Sequence, residues 1–275
     1  MYQGTTPTKF GRYAVAEPLR FDLFHHHDPA TELKTVDHEP PVPVLDQEDL
    51  IAQGIDTSAL IPGAQKVDAL GSCTCNAGTV HLAERLHAVK PDTVAALNGI
   101  QLGQDAVNNE KFAISLYHEV TDQTGDPSQE WPPTDCGSTG LYVMTELVKL
   151  GLATSYKTAA NVTDALSLLQ DGTVIIGTPF FNAWMEPGPD AFLDGNGKTS
   201  DLQRAIDSGV AGGHETCLTA IESISYSGST VDLEHTILRV RNSWSSSWGD
   251  NGSFRLHAST LHYLASYVDF KQAVI

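Results

Sequence analysis

Cysteine and positive charge are both scarce in this chain. Four cysteines (Cys73, Cys75, Cys136 and Cys217) are spread over 275 residues. That is too few to staple a protein of this size, and Cys73-x-Cys75 is the wrong spacing for a zinc knuckle. Reduced thiols are expected, although an even count permits a bridge between Cys136 and Cys217. Lysine and arginine number 16 against 34 acidic residues, a formal net charge of −18. A field of that sign disfavours phosphate backbones, so no nucleic-acid partner is expected. No apolar run approaches the roughly 18 residues of a membrane span, and the N-terminal stretch Met1–Pro7 lacks an apolar signal core. The expected location is the cytoplasm, or a larger assembly such as a virion. No repeat or low-complexity segment is present. With 41% hydrophobic and 18% charged residues, what remains is a folded globular chain, long enough to bury a core without disulfides or metal staples.

Prolines at 7, 18, 29, 40, 41 and 43 interrupt every helical pattern before about residue 43, so residues 1–43 read as an extended arm tied down on the body or on a neighbour. Within it His25-His26-His27 does not suggest a metal site: side chains alternate along extended backbone, and three in a row do not converge on one ion. Asp46–Ile51 reads as a short helix start and Pro62-Gly63 as a turn. Ser72 is placed to cap a helix with Val80, Ala83 and Leu86/His87 at helical spacing, closed by Lys90-Pro91. A polar, helix-compatible stretch runs to about Gln129, and Trp131-Pro132-Pro133 then turns the chain into Asp135-Cys136-Gly137. A second helix carries Leu141, Met144, Leu147 and Val148 on one face and ends at Gly151. A third, Val162 to Gln170, is capped at Asn161 or Thr163 and stopped by Gly172. From there the pattern becomes β: Thr173–Thr178, a half-buried strand His214–Ile221, a return from Thr230 to Arg241 after the Ser227-Gly228-Ser229 turn, and a last strand Gly252–His257. Helices first and antiparallel strands second read as an α+β fold of two subdomains with a cleft between them.

A cysteine nucleophile needs a base, and the base needs a third group that holds its tautomer. Cys73 falls in the first turn of a helix, where unpaired N–H groups favour a thiolate. His214 begins a strand after Gly212 and Gly213, which let backbone pass close to a substrate. Asn242 ends the return strand, and Trp244 beside it can shield the imidazole–amide bond from water. Asp135 is placed as a residue lining the cleft. Cys75 and Cys217 fall on other faces and read as core packing.

Gly71-Ser72-Cys73-Thr74-Cys75-Asn76-Ala77, Gly212-Gly213-His214 and Asn242-Ser243-Trp244-Ser245-Ser246-Ser247-Trp248-Gly249-Asp250-Asn251-Gly252-Ser253-Phe254 together resemble the Cys, His and Asn boxes of papain-like cysteine peptidases. The intervening Asp135-Cys136-Gly137 and Val174–Gly177 segments resemble that family too, and the likeness runs from about Pro62 to His257. Thr74 and the Cys-Thr-x-Asn-Ala pattern are similar to its bacterial and viral branches. The resemblance implies a helical subdomain (about 62–170) packed against an antiparallel β-barrel-like subdomain (about 171–275) within a domain spanning 44–275. It also implies Cys73 as nucleophile, His214 as base, Asn242 as orienter, a peptide or isopeptide substrate, and neither metal nor cofactor. In the family a Gln-Gly shortly before the Cys supplies an oxyanion donor. Here the position six residues before Cys73 is Val67, and the nearest glutamine is Gln65, followed by Lys66. Either Gln65 reaches in from a longer loop, or another donor substitutes, or the oxyanion hole is impaired; the Cys73 backbone N–H serves in each case. The rival reading is a structural component of a larger assembly, such as a virion, that keeps the peptidase fold with little or no turnover and binds partners through its N-terminal arm.

Overall fold

A computed structural model describes residues 22–47, 50, 54, 70–122, 128 and 130–275. Gln65, the Pro62-Gly63 turn and half of the helix start expected at Asp46–Ile51 lie outside the described residues. In chain order the elements are β1 (Asp22–His25), β2 (Val36–Asp37), α1 (Cys73–Val89), the β3–β4 hairpin (Ala96–Leu97 and Ile100–Gln101), α2 (Ala106–Asp122), α3 (Gly140–Lys149), β5 (Ser155–Ala159) and α4 (Val162–Leu168). Then follow β6 (Val174–Phe181), α5 (Thr199–Asp207), β7 (Val210–Ser223), the β8–β9 hairpin (Tyr226–Ser227 and Thr230–Val231), β10 (Ile237–Arg241), β11 (Ser253–His257), α6 (Ala258–Tyr263) and β12 (Asp269–Val274).

The helix ends obey their local chemistry. Asn161, rather than Thr163, caps α4: its side-chain oxygen accepts from the Asp164 N–H at 3.0 Å. Thr139 caps α3 through the Tyr142 N–H. Gly151 takes a φ of +72° and lets the Leu152 N–H reach back to the Leu147 carbonyl, the left-handed helix ending that glycine permits.

One open sheet organises the β half, in the order β1-β5-β12-β6-β7-β10-β11, with β2 pairing beside β6 on the same edge of β7. All its pairings are antiparallel except β1–β5. Gly252–His257 is therefore not the last strand. β12 returns to the sheet centre, between β5 and β6, and neither it nor β5 stands out as a strand when the sequence is read alone. The β3–β4 hairpin was equally missed, although it carries an Asn98-Gly99 turn, both residues at positive φ.

Two cores meet on this sheet. Ile175, Cys217 and Ala273 face α1, α2 and α3. Val174, Ile176, Leu218 and Phe270 face the opposite side, with α4 and α6. β7 is consequently buried on both faces from His214 to Ile221, not half-buried as its alternation implies. The α1–α3 contact is close enough that a Cβ on Gly78 would lie 2.5 Å from the Val143 side chain, so glycine is required there. The described part of the arm is spent on the chain's own sheet. Leu33 exchanges hydrogen bonds with the Tyr226 hydroxyl, the His38 ring contacts the Leu169 carbonyl, and Arg241 donates to the Val42 carbonyl.

A buried polar chain fastens α1 to the C-terminal strand. The Ala273 N–H donates to His81 Nε2 at 2.8 Å, so Nδ1 carries the proton and donates to Thr173 Oγ1 at 2.9 Å. Thr173 in turn donates its hydroxyl and its N–H to Glu84. Burial, helped by the Arg85 guanidinium, pushes His81 down to about 3 from the ordinary 6.5. The unfolded chain therefore takes up a proton below about pH 6.5 that the folded chain refuses until about pH 3, and stability is lost as the pH falls through that window. By pH 4 the loss from this residue is roughly 3 kcal/mol. Urea denaturation at pH 7 and pH 4.5 is expected to show it. His81→Phe lowers stability at pH 7, by stranding the Ala273 N–H, yet flattens the pH dependence; an unchanged slope in that variant would exclude His81 as its source.

Candidate active site

α1 begins at Cys73 because the turn before it is held from several directions. The Ser72 carbonyl accepts from the Cys75 and Asn76 N–H groups, opening the helix. The Ser72 hydroxyl does not cap that helix as expected. It donates to Asn76 Oδ1 at 2.8 Å and accepts from the Gln47 side-chain amide at 2.6 Å, while the Gln47 oxygen takes the Leu70 N–H at 2.6 Å. Asn76 passes the chain on to the buried Glu110 carboxylate. The Gly71 N–H points to Asp135. Cys73 is thus delivered at the first turn of a helix, 4% exposed.

His214 lies on β7 opposite Thr178 of β6. β10 runs antiparallel to β7 with Arg241 opposite Cys217, so the next residue, Asn242, comes alongside the strand near His214. Asn242 Oδ1 accepts from the Ser243 backbone N–H at 2.8 Å and from His214 Nε2 at 2.8 Å. A backbone N–H can only donate, so the first bond fixes which end of the amide is oxygen. The second then requires the proton on Nε2, and the basic lone pair of the neutral ring belongs to Nδ1, on its other edge.

Aromatic rings close over this pair. Trp244 stacks on the imidazole with centroids 4.6 Å apart and planes 24° from parallel. Phe180, on β6, meets both rings edge-on, each at 5.2 Å. Trp248 supports Trp244 from the side and is anchored through its indole N–H on the Met185 carbonyl. Burial in this box drives His214 down to about 4, against the upward pull of the Asn242 bond. Gly212 and Gly213 continue the β6–β7 ladder opposite Phe180 and Pro179; neither has a positive φ.

α1 packs along β7 and β6 in a defined direction. Its first turn lies at the Glu215 end of β7, where the Glu215 charge acts on the Cys75 thiol, and its third turn reaches Thr173 through His81. β7 begins at Val210, four residues before the expected start at His214, and the helix start that bears Cys73 shares with His214 one end of the α1–β7 seam. The other thiols are differently placed. None of the four cysteines is in a disulfide, so no Cys136–Cys217 bridge forms. Cys75 and Cys217 are fully buried, and burial raises both, Cys217 to about 12. Cys136, half-buried, is raised for the same reason.

Gln47, Phe180 and Tyr117 entered the site without being singled out from sequence. Each is brought in by tertiary contact from a segment distant from the motifs. Of the histidine run, His26 and the His27 N–H bind the Asp164 carboxylate, a polar turn that docks the arm on α4. Among the described residues no cluster of three or more His, Cys, Asp or Glu side chains is arranged to hold a metal ion, and no helix is long and apolar enough to cross a membrane.

No protein-family model matches the sequence, and no curated protein sequence matches it. Solved structures do match the fold. Xylellain, a cysteine protease from Xylella fastidiosa, superposes with a TM-score of 0.56 at 14% identity, over 97% of this chain and 96% of that one. Procathepsin B S9 from Trypanosoma congolense gives 0.53 at 10% identity, over 96% and 86% of the two chains. Digestive procathepsin L 3 of the Tenebrio molitor larval midgut gives 0.53 at 13% identity, over 93% and 74%. The fold is papain-like: an α+β architecture with a helical part packed on a largely antiparallel sheet.

In a Cys73→Ala variant, where no thiolate can compensate the ring, the His214 proton signals are expected to titrate near pH 4. Trp244→Ala opens the box to water and returns the midpoint toward the ordinary value of about 6.5. Midpoints near 6.5 in both variants would show that the box does not govern His214.

Proposed function

We propose that this chain is a thiol hydrolase of the papain type, cleaving peptide or isopeptide bonds with Cys73 as nucleophile, His214 as proton carrier and Asn242 as its orienter. One observation carries the reading: Asn242 Oδ1, locked by the Ser243 N–H, holds His214 in the tautomer whose basic nitrogen faces away from it. His81 is held in one tautomer too, but both of its ring nitrogens are spent on structural bonds, whereas His214 shares its end of the α1–β7 seam with a thiol at a helix start.

The sequence of steps follows from those roles. The Cys73 thiol proton moves to His214 Nδ1, giving a thiolate and an imidazolium. The pair is coupled, because a ring that resists charge when alone accepts it beside an opposite charge. The sulfur attacks the scissile carbonyl carbon, and the carbonyl electron pair moves to oxygen. Collapse of this tetrahedral species breaks the C–N bond as Nδ1 returns its proton to the leaving amine, and a thioester remains. Water then attacks the thioester, passing a proton to His214, and the acid departs as Cys73 is re-protonated.

The oxyanion formed on the way needs donors. The Cys73 backbone N–H is one. For the second, Gln47 replaces the expected Gln65 in this reading. Its amide already spans the Leu70 N–H and the Ser72 hydroxyl, and an amide nitrogen carries two N–H groups, so the one not directed at Ser72 can serve the cleft. Gln47 therefore does from just after the arm what a glutamine just before the Cys does in the family. The assembly-component role is the poorer reading, because the described arm is bound to the chain's own sheet.

Iodoacetamide is expected to modify Cys73 far faster than Cys75, Cys136 or Cys217; equal and slow modification of all four would sink the proposal. Gln47→Ala is expected to lower kcat on an unstructured protein substrate by about 10²- to 10³-fold with Cys73 still readily alkylated. A variant with full turnover would return the oxyanion role to another donor.

A further inference from the structure

The turn Leu70–Ser72 has a second support besides Gln47, and it is chemically odd. Both oxygens of Asp135 lie 3.1 Å from the Gly71 nitrogen, two residues ahead of Cys73. Asp135 is itself held by Tyr117 of α2, whose hydroxyl lies 2.7 Å from Oδ1. The same hydroxyl accepts from the Gly137 N–H at 2.8 Å, so its own proton must go to the carboxylate. Tyr117 is fully buried and packs on Trp131 with ring centroids 5.6 Å apart. Burial, with the Asp135 charge, keeps this phenol protonated by raising its pKa. The direction of every bond in the chain Gly137–Tyr117–Asp135–Gly71 is thereby determined.

A carboxylate so close to a nucleophilic thiol is costly if charge is all it contributes, because a nearby negative charge disfavours the thiolate. A neutral acceptor could satisfy one N–H. What the carboxylate does here is meet the Gly71 N–H with both oxygens while one of them also accepts from the Tyr117 hydroxyl, tying the turn to a buried side chain on α2.

We propose that Asp135, oriented by Tyr117, is a positioning residue that sets the Cys73 sulfur in register with His214. The inference rests on Cys73 being the nucleophile. Through Gly71 the pair fixes the start of α1, and with it the approach of sulfur to imidazole on which the thiolate–imidazolium pair depends. Asparagine cannot replace the carboxylate, since one side of its amide is a donor and would oppose either the Gly71 N–H or the Tyr117 hydroxyl.

The test is the rate of Cys73 alkylation by iodoacetamide in the full chain as a function of pH, for wild type, Asp135→Asn and Tyr117→Phe. Positioning and charge predict opposite signs. If Asp135 positions, Asp135→Asn slows alkylation near pH 6 by about tenfold or more, as the thiol midpoint rises toward the ordinary cysteine value of about 8.5. Tyr117→Phe then shifts it in the same direction by less. Faster alkylation in Asp135→Asn, the result of merely removing a negative charge, would overturn the proposal, as would rates within about twofold of wild type in both variants. If Asp135→Asn makes Cys75 and Cys217 reactive the fold has been lost, and Tyr117→Phe, which removes a single hydroxyl, decides. A wild-type Cys73 no more reactive than Cys136 would instead refute the hydrolase reading, and the proposal would fall with its premise.

Discussion

β7 has to satisfy two cores at once, and the site is a consequence of that constraint. From His214 to Ile221 both faces of the strand are covered, one by α1 and its neighbours and the other by the aromatic side of the sheet. Side chains alternate along a strand, so the even position 214 turns to Phe180 and Trp244 while the odd positions 215 and 217 turn toward the helices. His214, within the strand, is in this way separated from bulk water and set beside the residue that follows β10. The same strand carries α1 on its helical face. Fold and site therefore share one element, and a shift of β7 by one residue would exchange the two faces.

Burial on this scale makes each polar match near the turn and the strand valuable. Asn242 accepts twice through one oxygen, Gln47 joins the Leu70 N–H to the Ser72 hydroxyl, and Asp135 receives the Gly71 N–H. These are not surface contacts of small value. An unmatched donor in such surroundings costs about 1–3 kcal/mol, so each partner restricts the backbone to the conformation that serves it. The turn before Cys73 is held in place by the same burial that keeps it from water.

Much of this was legible in the residues themselves. The helix over 140–149 could be read from Leu141, Met144 and Leu147 with Gly151 behind them, because helix periodicity and a left-handed terminal glycine are local properties. The His214 and Asn242 boxes could be paired because an imidazole N–H and an amide oxygen are natural partners, and they meet in the His214–Asn242 bond. The failures are of a different kind. Ser72 has the composition of a cap, yet its hydroxyl is claimed by Gln47 and Asn76. The 214–221 stretch alternates like a half-exposed strand, yet α1 covers its second face. β5 and β12 are unremarkable in isolation and become strands because the sheet offers them partners.

What the sequence by itself determined is therefore the set of chemical parts and their local geometry: a thiol at a helix start, an imidazole in a strand, an amide before a tryptophan, and helix ends where caps and glycines stand. Tertiary structure alone decided which distant groups complete them. Gln47 arrives from the segment after the arm, Phe180 from β6, and Asp135 with Tyr117 from α2 and the loop after it. Short-range preferences act through bonds within a few residues and can be read along the chain. The pairing of buried polar groups is set by which surfaces meet when water is excluded, and no spacing along the chain encodes it.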